Sequence, residues 1–131
     1  MISARYPQVT EHGVFREEDC EALTLPGKGG ASPSAEVLLV EAGPGEWYAS
    51  VSFSLHAGDY RSRSSLPSPR SRQAAHPDRH AALLAMAECL LIEMRDILSG
   101  SRVPGVEAAE ARRVLTWAPR LGGESGFGSY L

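Results

Sequence analysis

The sequence predicts an α+β domain: an antiparallel sheet of about three strands packed against one long helix (78–98), with a second helix (104–117). Three observations predict it. In DRHAALLAMAECLLIEMRDIL, residues Leu83, Ala87, Leu90, Met94 and Ile97 recur at alternating steps of four and three, with Leu84, Leu91 and Leu98 beside them, so one broad helix face is apolar. From 46 to 56, Trp47, Ala49, Val51, Phe53 and Leu55 alternate with Tyr48, Ser50, Ser52, Ser54 and His56, the period of a half-buried strand. Between that run and the apolar EVLLVE at 36–41 lies Ala42-Gly43-Pro44-Gly45, suited to a hairpin turn. The apolar face of the hairpin needs a cover. Leu83, Leu90, Met94 and Ile97 are expected to roof Trp47, Val51, Phe53 and Leu55, leaving the arginine-bearing connector between them in water.

The remaining elements follow from weaker signals. Val9, Val14 and Phe15 could give an edge strand, and EEDCEAL at 17–23 about two turns of helix, its acids toward the favourable N-terminal end. Residues 24–35 are expected to be a flexible Gly/Pro/Ser loop. After the turn signal Ala57-Gly58-Asp59, residues 60–66 run back as a third strand with Arg61, Arg63 and Ser65 to one side, ended by Pro67 and Pro69. Residues 67–76 then form a solvated loop. Pro77 suits the first turn of the long helix, and Gly100 a left-handed stop. On the second helix Val106, Ala109, Val114 and Trp117 are the inward candidates and Glu107, Glu110, Arg112 and Arg113 the outward ones, with Pro119 closing it. Residues 118–131 form a Gly-rich tail ending in Phe127, Tyr130 and Leu131, expected to dock on the body.

A chain of 131 residues is expected to be a single domain with a small core that needs neither metal nor disulfides. The net charge of −3 excludes a generally basic nucleic-acid binder but conceals a split. Residues 1–60 carry −6, residues 61–80 carry +4, and the remainder −1. Cys20 and Cys89 lack any paired spacing, which suggests reduced thiols. With no apolar run suited to a signal peptide or a membrane span, the expected location is the cytoplasm. A single lysine beside twelve arginines, and no asparagine, suggest a GC-rich genome.

No catalytic residue, metal site or cofactor is expected. His76 and His80 stand four apart, but Pro77 occupies the position where a zincin carries glutamate and no third ligand is evident. Cys89 lies among core leucines, where cysteine acts as a small apolar residue, and no GxSxG selects a serine nucleophile. The pairs Gly29-Gly30 and Gly122-Gly123 match neither a P-loop nor a dinucleotide fingerprint. The strongest lead is Arg61, Arg63, Arg70, Arg72 and Arg79, interleaved with serines, since guanidinium groups suit phosphate or carboxylate. These are the expected partner-binding residues.

Two resemblances bear on function. The order short helix, three strands, long helix over 17–98 resembles the double-stranded RNA-binding domain, although Pro77-Asp78-Arg79-His80 stand where that family clusters lysines. EVLLVEAGPGEWYASVSFSL, an Arg/Ser/Pro loop and HPDRHAALLAMAECLLIEM, with Trp47 opening the outgoing strand and Pro77, Arg79 and Ala82-Leu83 opening the helix, resemble small hairpin-plus-helix proteins of phages and mobile elements. Some of these are anti-CRISPR or other anti-defence inhibitors. That resemblance implies a non-enzymatic phage protein binding a bacterial defence protein or ribonucleoprotein complex through charged surfaces, the acidic first half or the arginine segment. The alternative is a nucleic-acid-binding module using Arg61 to Arg79. The helix spacing also permits a homodimer.

Overall fold

The computed structural model describes residues 6–27, 33–55, 61–63, 65–69, 75–100 and 105–123. Four strands form one antiparallel sheet in the order β1 (Glu21–Leu25), β2 (Ala35–Gly43), β3 (Glu46–Leu55) and β4 (Arg61–Arg63). Two helices follow, α1 (Arg79–Leu98) and α2 (Gly105–Trp117), and a 3-10 segment, Ala118–Gly123, ends the described chain. The α+β architecture is the expected one, and β2, β3 and β4 are the three expected strands.

The hairpin forms where alternation and turn chemistry agree. Gly43 pairs with Glu46, so Pro44 and Gly45 make the turn, with Gly45 at φ +70° after a proline of fixed φ. Val37, Leu39, Ala49, Val51, Phe53 and Leu55 then share one face, and Ala82, Leu83, Met86, Ala87, Leu90 and Met94 of α1 cover it. Each fully buried leucine here contributes about 2 kcal/mol. Trp47 and Ile97 are half-buried at the margin of the same cluster, so the two apolar surfaces meet as expected.

The ends of α1 differ from expectation in detail. Asp78, not Pro77, sets its start: the carboxylate accepts from the Ala81 N–H at 2.7 Å, a cap that stabilises by about 1 kcal/mol. Gly100 is not left-handed. The helix closes with Ser99 still in helical geometry and the Gly100 N–H donating to the Ile97 carbonyl at 3.1 Å.

At four further places the chain departs from what its sequence predicts. Residues 17–23 are not helix: a 3-10 turn over Glu17–Asp19 leads into β1, because Leu23 and Leu25 reach the core only from an extended chain paired along β2. Thr24, Leu25, Ser34 and Ala35 belong to β1, β2 and their junction, so the supposed loop 24–35 is ordered at both ends. Phe15 lies in no strand, being buried instead on the second face of the sheet, where its ring stacks on Tyr48 with centroids 5.7 Å apart. Pro67, placed in a solvated loop by sequence, is buried.

The serine face explains Pro67. Ser50 Oγ donates to the Ser65 carbonyl at 3.0 Å, the Ser65 N–H to Ser52 Oγ at 3.3 Å, and Ser65 Oγ to the Val51 carbonyl at 2.9 Å. The Phe15 N–H donates to the Pro67 carbonyl at 2.9 Å, and Ser68 Oγ to the Gly13 carbonyl at 2.7 Å. Ser50 and Ser52 thus strap the chain at Ser65 to the sheet, and Pro67 and Ser68 in turn hold residues 13–15. Both faces are covered, one by helices and the other by chain.

α2 is turned differently from its predicted phase. Glu107, Glu110, Ala111 and Val114 face inward and Ala109 is exposed. The tail docks on the body as far as it is described, with Ala118 and Leu121 in the core and Gly122 against Leu84. Phe127, Tyr130 and Leu131 lie outside the described residues. No described helix is long and apolar enough to cross a membrane.

Candidate functional site

The arginines singled out by sequence fall on two described elements, β4 and α1, and on residues outside the described ones. Arg61 and Arg63 stand in β4 at register positions opposite Leu55 and Phe53, while Arg70 and Arg72 lie outside the described residues. Arg79, at the first turn of α1, donates from Nε to Glu21 Oε1 at 2.8 Å and from Nη2 to Glu21 Oε2. This two-pronged contact ties β1 to α1. By donating to the Glu21 carboxylate, Arg79 also holds its pKa below the ordinary value. Its guanidinium is therefore part of the scaffold.

His76 and His80 also have structural positions. The His76 N–H donates to the Trp47 carbonyl at 2.8 Å and its carbonyl accepts from the Trp47 N–H at 2.9 Å, while His80 is exposed on α1. Among the described residues no group of three or more His, Cys, Asp or Glu could hold a metal ion. Cys20 donates its Sγ–H to the Arg16 carbonyl at 3.2 Å, and burial, with Asp19 and Glu17 nearby, pushes its thiol up to about 11. A thiol so poised is a poor nucleophile at neutral pH.

The structure instead brings a second set of arginines together. The inward phase of α2 places Arg112, Arg113, Thr116 and Trp117 beside β1, and the 3-10 segment adds Arg120. Together with Leu25 they line an open groove of about 370 Å³. A second hollow of about 290 Å³ shares Trp117 and Arg120 and is bounded by Leu23, Thr24 and Leu121. The two hollows adjoin at Trp117 and Arg120 beside β1, and together they make up a trough with the half-buried Trp117 as its aromatic wall.

A buried polar clasp fixes the trough. Glu110 is almost wholly enclosed; it accepts from Ser34 Oγ and, at 3.0 Å on each oxygen, from Arg113 Nη1. The other terminal nitrogen of Arg113 donates to the Pro26 carbonyl at 3.0 Å. One guanidinium thereby joins α2 to the ends of both β1 and β2. Arg112 and Arg120, by contrast, are exposed and make no ion pair among the described residues. Their charges are available to a ligand.

Acidic side chains also lie near the trough: Thr24 of its lining donates its hydroxyl to Glu36 Oε2 at 3.4 Å. Glu36 alternates with the inward Val37, so it lies on the second face, where burial and then the charge of Glu17 raise its pKa. Glu17 thus acts on the second face of the sheet, while the trough arginines stand with α2 and the 3-10 segment on the helix side. The planar donors of Arg112 and Arg120 and the indole of Trp117 suit the trough to holding an anionic group with apolar parts.

Sequence reasoning missed this site because its two walls are far apart in the chain. One local signal was present: Arg112, Arg113, Thr116, Trp117 and Arg120 follow helical spacing. Comparison with protein-family models, curated proteins and solved structures finds no match to this chain.

Proposed function

We propose that this chain is a non-enzymatic inhibitor, encoded by a phage or mobile element, that binds a bacterial defence complex through an acidic surface of one of its proteins. The observation that carries the reading is the pair Arg112 and Arg120, without carboxylate partners among the described residues, flanking Trp117 in a trough beside β1. Exposed arginines around an aromatic anchor are the composition from which interface hot spots are built. Opposite charge on the partner would speed encounter and select against wrong partners. The resemblance to small anti-defence proteins suggests the class of target, and the trough is the proposed means of contact.

The test is phage plating on hosts that each carry one defence complex, with and without this protein. Restored plaque formation in one of them, lost when Arg112→Glu and Arg120→Glu are combined, is the expected result. Restoration that survives both charge reversals would reject the trough as the contact surface, and no restoration in any host would reject the inhibitor.

The alternative, a nucleic-acid-binding module, rests on Arg61, Arg63, Arg70 and Arg72, since Arg79 is engaged by Glu21. Retardation of random DNA or RNA that weakens steeply with salt, and vanishes when those four are changed to alanine, would establish it instead.

A further inference from the structure

We infer that the trough takes an extended acidic segment of the partner, which adds to β1 as a further strand of the sheet. The inference rests on the proposed acidic partner and specifies the form in which that partner is held. β1 is the terminal strand of the sheet, and among the described residues nothing pairs with its outer edge. Its residues EALTL include no proline, glycine or lysine, the usual devices that keep an edge from pairing. Its one charged side chain, Glu21, is engaged by Arg79. A strand along this edge would find main-chain donors and acceptors unused by β2, because alternate residues of any strand point their N–H and C=O groups outward.

The trough runs beside that edge, on the helix side. Leu23 and Leu25 are half-buried there and each borders a hollow with Trp117, so every second side chain of an added strand would enter the space these three border. Arg120 stands near Leu23 and Thr24, and Arg112 near Leu25. Carboxylates two or four residues apart on an extended segment, about 7 or 14 Å, would meet these guanidiniums in succession. Main-chain pairing would give affinity, and the arginines would select acidic side chains.

Charge decides between this occupant and a second copy of the chain. Two β1 strands paired about a twofold axis would bring two copies of Arg120 and Trp117 to one place, with the nearby Glu21 carboxylates already engaged by Arg79. Like charges would then face each other across the seam. A nucleic acid would satisfy the arginines but leave the strand edge unpaired.

The probe is a fluorescently labelled, end-blocked peptide of alternating valine and glutamate, about eight residues long, an ordinary strand length. Its binding to the full chain is followed by anisotropy. The first control carries the same side chains with every second backbone nitrogen methylated, in both phases, which removes outward donors without changing charge. The second replaces glutamate by lysine. The acidic peptide is expected to bind, with N-methylation in one phase weakening it by about tenfold or more through the lost hydrogen bonds.

Equal affinity for the N-methylated peptides would overturn strand addition while leaving an acidic partner in place. Equal affinity for the lysine peptide would overturn the acidic partner itself. Self-association of the chain in sedimentation that the acidic peptide fails to displace would assign the edge to a second copy and overturn the inference.

Discussion

β1 and β4 border the same sheet, yet they differ in length and in charge. β4 is three residues long, with an arginine at each end, and follows β3 directly in the sheet order. β1 is five residues long, offers Leu23 and Leu25 to an aromatic trough, and has its single charge engaged by α1. A short edge rich in cations resists further pairing, whereas a longer one with an apolar side invites it. The comparison teaches that one border of a sheet can carry a sequence that discourages pairing while the other is organised from the helical layer, by Arg79, Arg113 and the α2 arginines.

The largest expected effect comes from removing the clasp that holds the β1 border. Glu110→Ala leaves Ser34 Oγ and Arg113 without their carboxylate, and should cost about 2–3 kcal/mol in urea unfolding, the range for buried hydrogen bonds to a charged group. Glu110→Gln keeps an acceptor and should cost less. An unchanged unfolding midpoint for Glu110→Ala would mean that β1 is not fastened through α2, and the contrast between the two borders would lose its cause.

Next in size is a substitution that makes β1 resemble β4. Leu23→Lys places a cation on the half-buried side of the strand; the stem can still cover the trough, so the expected loss is about 1–2 kcal/mol. The added charge sits beside Arg120, so affinity for the acidic peptide should persist or rise if charge alone drives binding, and should fall if the trough must admit side chains. Strand addition into an open trough therefore predicts a fall, read by the same anisotropy titration.

How much of this was legible in the sequence follows the range of the forces involved. α1 and the β2–β3 hairpin declare themselves locally, because helix period, strand alternation and Pro44-Gly45 agree within short windows. β1 did not, since EEDCEAL carries the acidic start of a helix and only pairing with Ala35 to Leu39 makes it a strand. The phase of α2 is not legible either, because charges at 107, 110, 112 and 113 predict that all four face outward. Glu107 is fully buried, and Glu110 becomes an inward residue only because Ser34 and Arg113 meet it. The trough inherits both errors: it exists only once β1 is extended and α2 is turned.

Arg79 gives the smallest and most specific test, because it joins β1 to the helical layer without entering the trough. Both side chains of the Arg79–Glu21 pair are well exposed, at 36% and 45%, so Arg79→Ala should cost no more than about 1 kcal/mol. Its pH dependence carries the information. Arg79 lowers the Glu21 pKa in the folded state, so the stabilisation is present above the ordinary glutamate value of 4.5 and is lost as acid protonates the folded carboxylate below it. The gap between wild type and Arg79→Ala in urea unfolding should therefore be steady at neutral pH and close in acid. Raising salt to about 1 M at neutral pH should narrow it too. A gap that persists in acid would show that Arg79 supports β1 through the packing of its stem, and the β1 border would then owe its position to contact instead of charge.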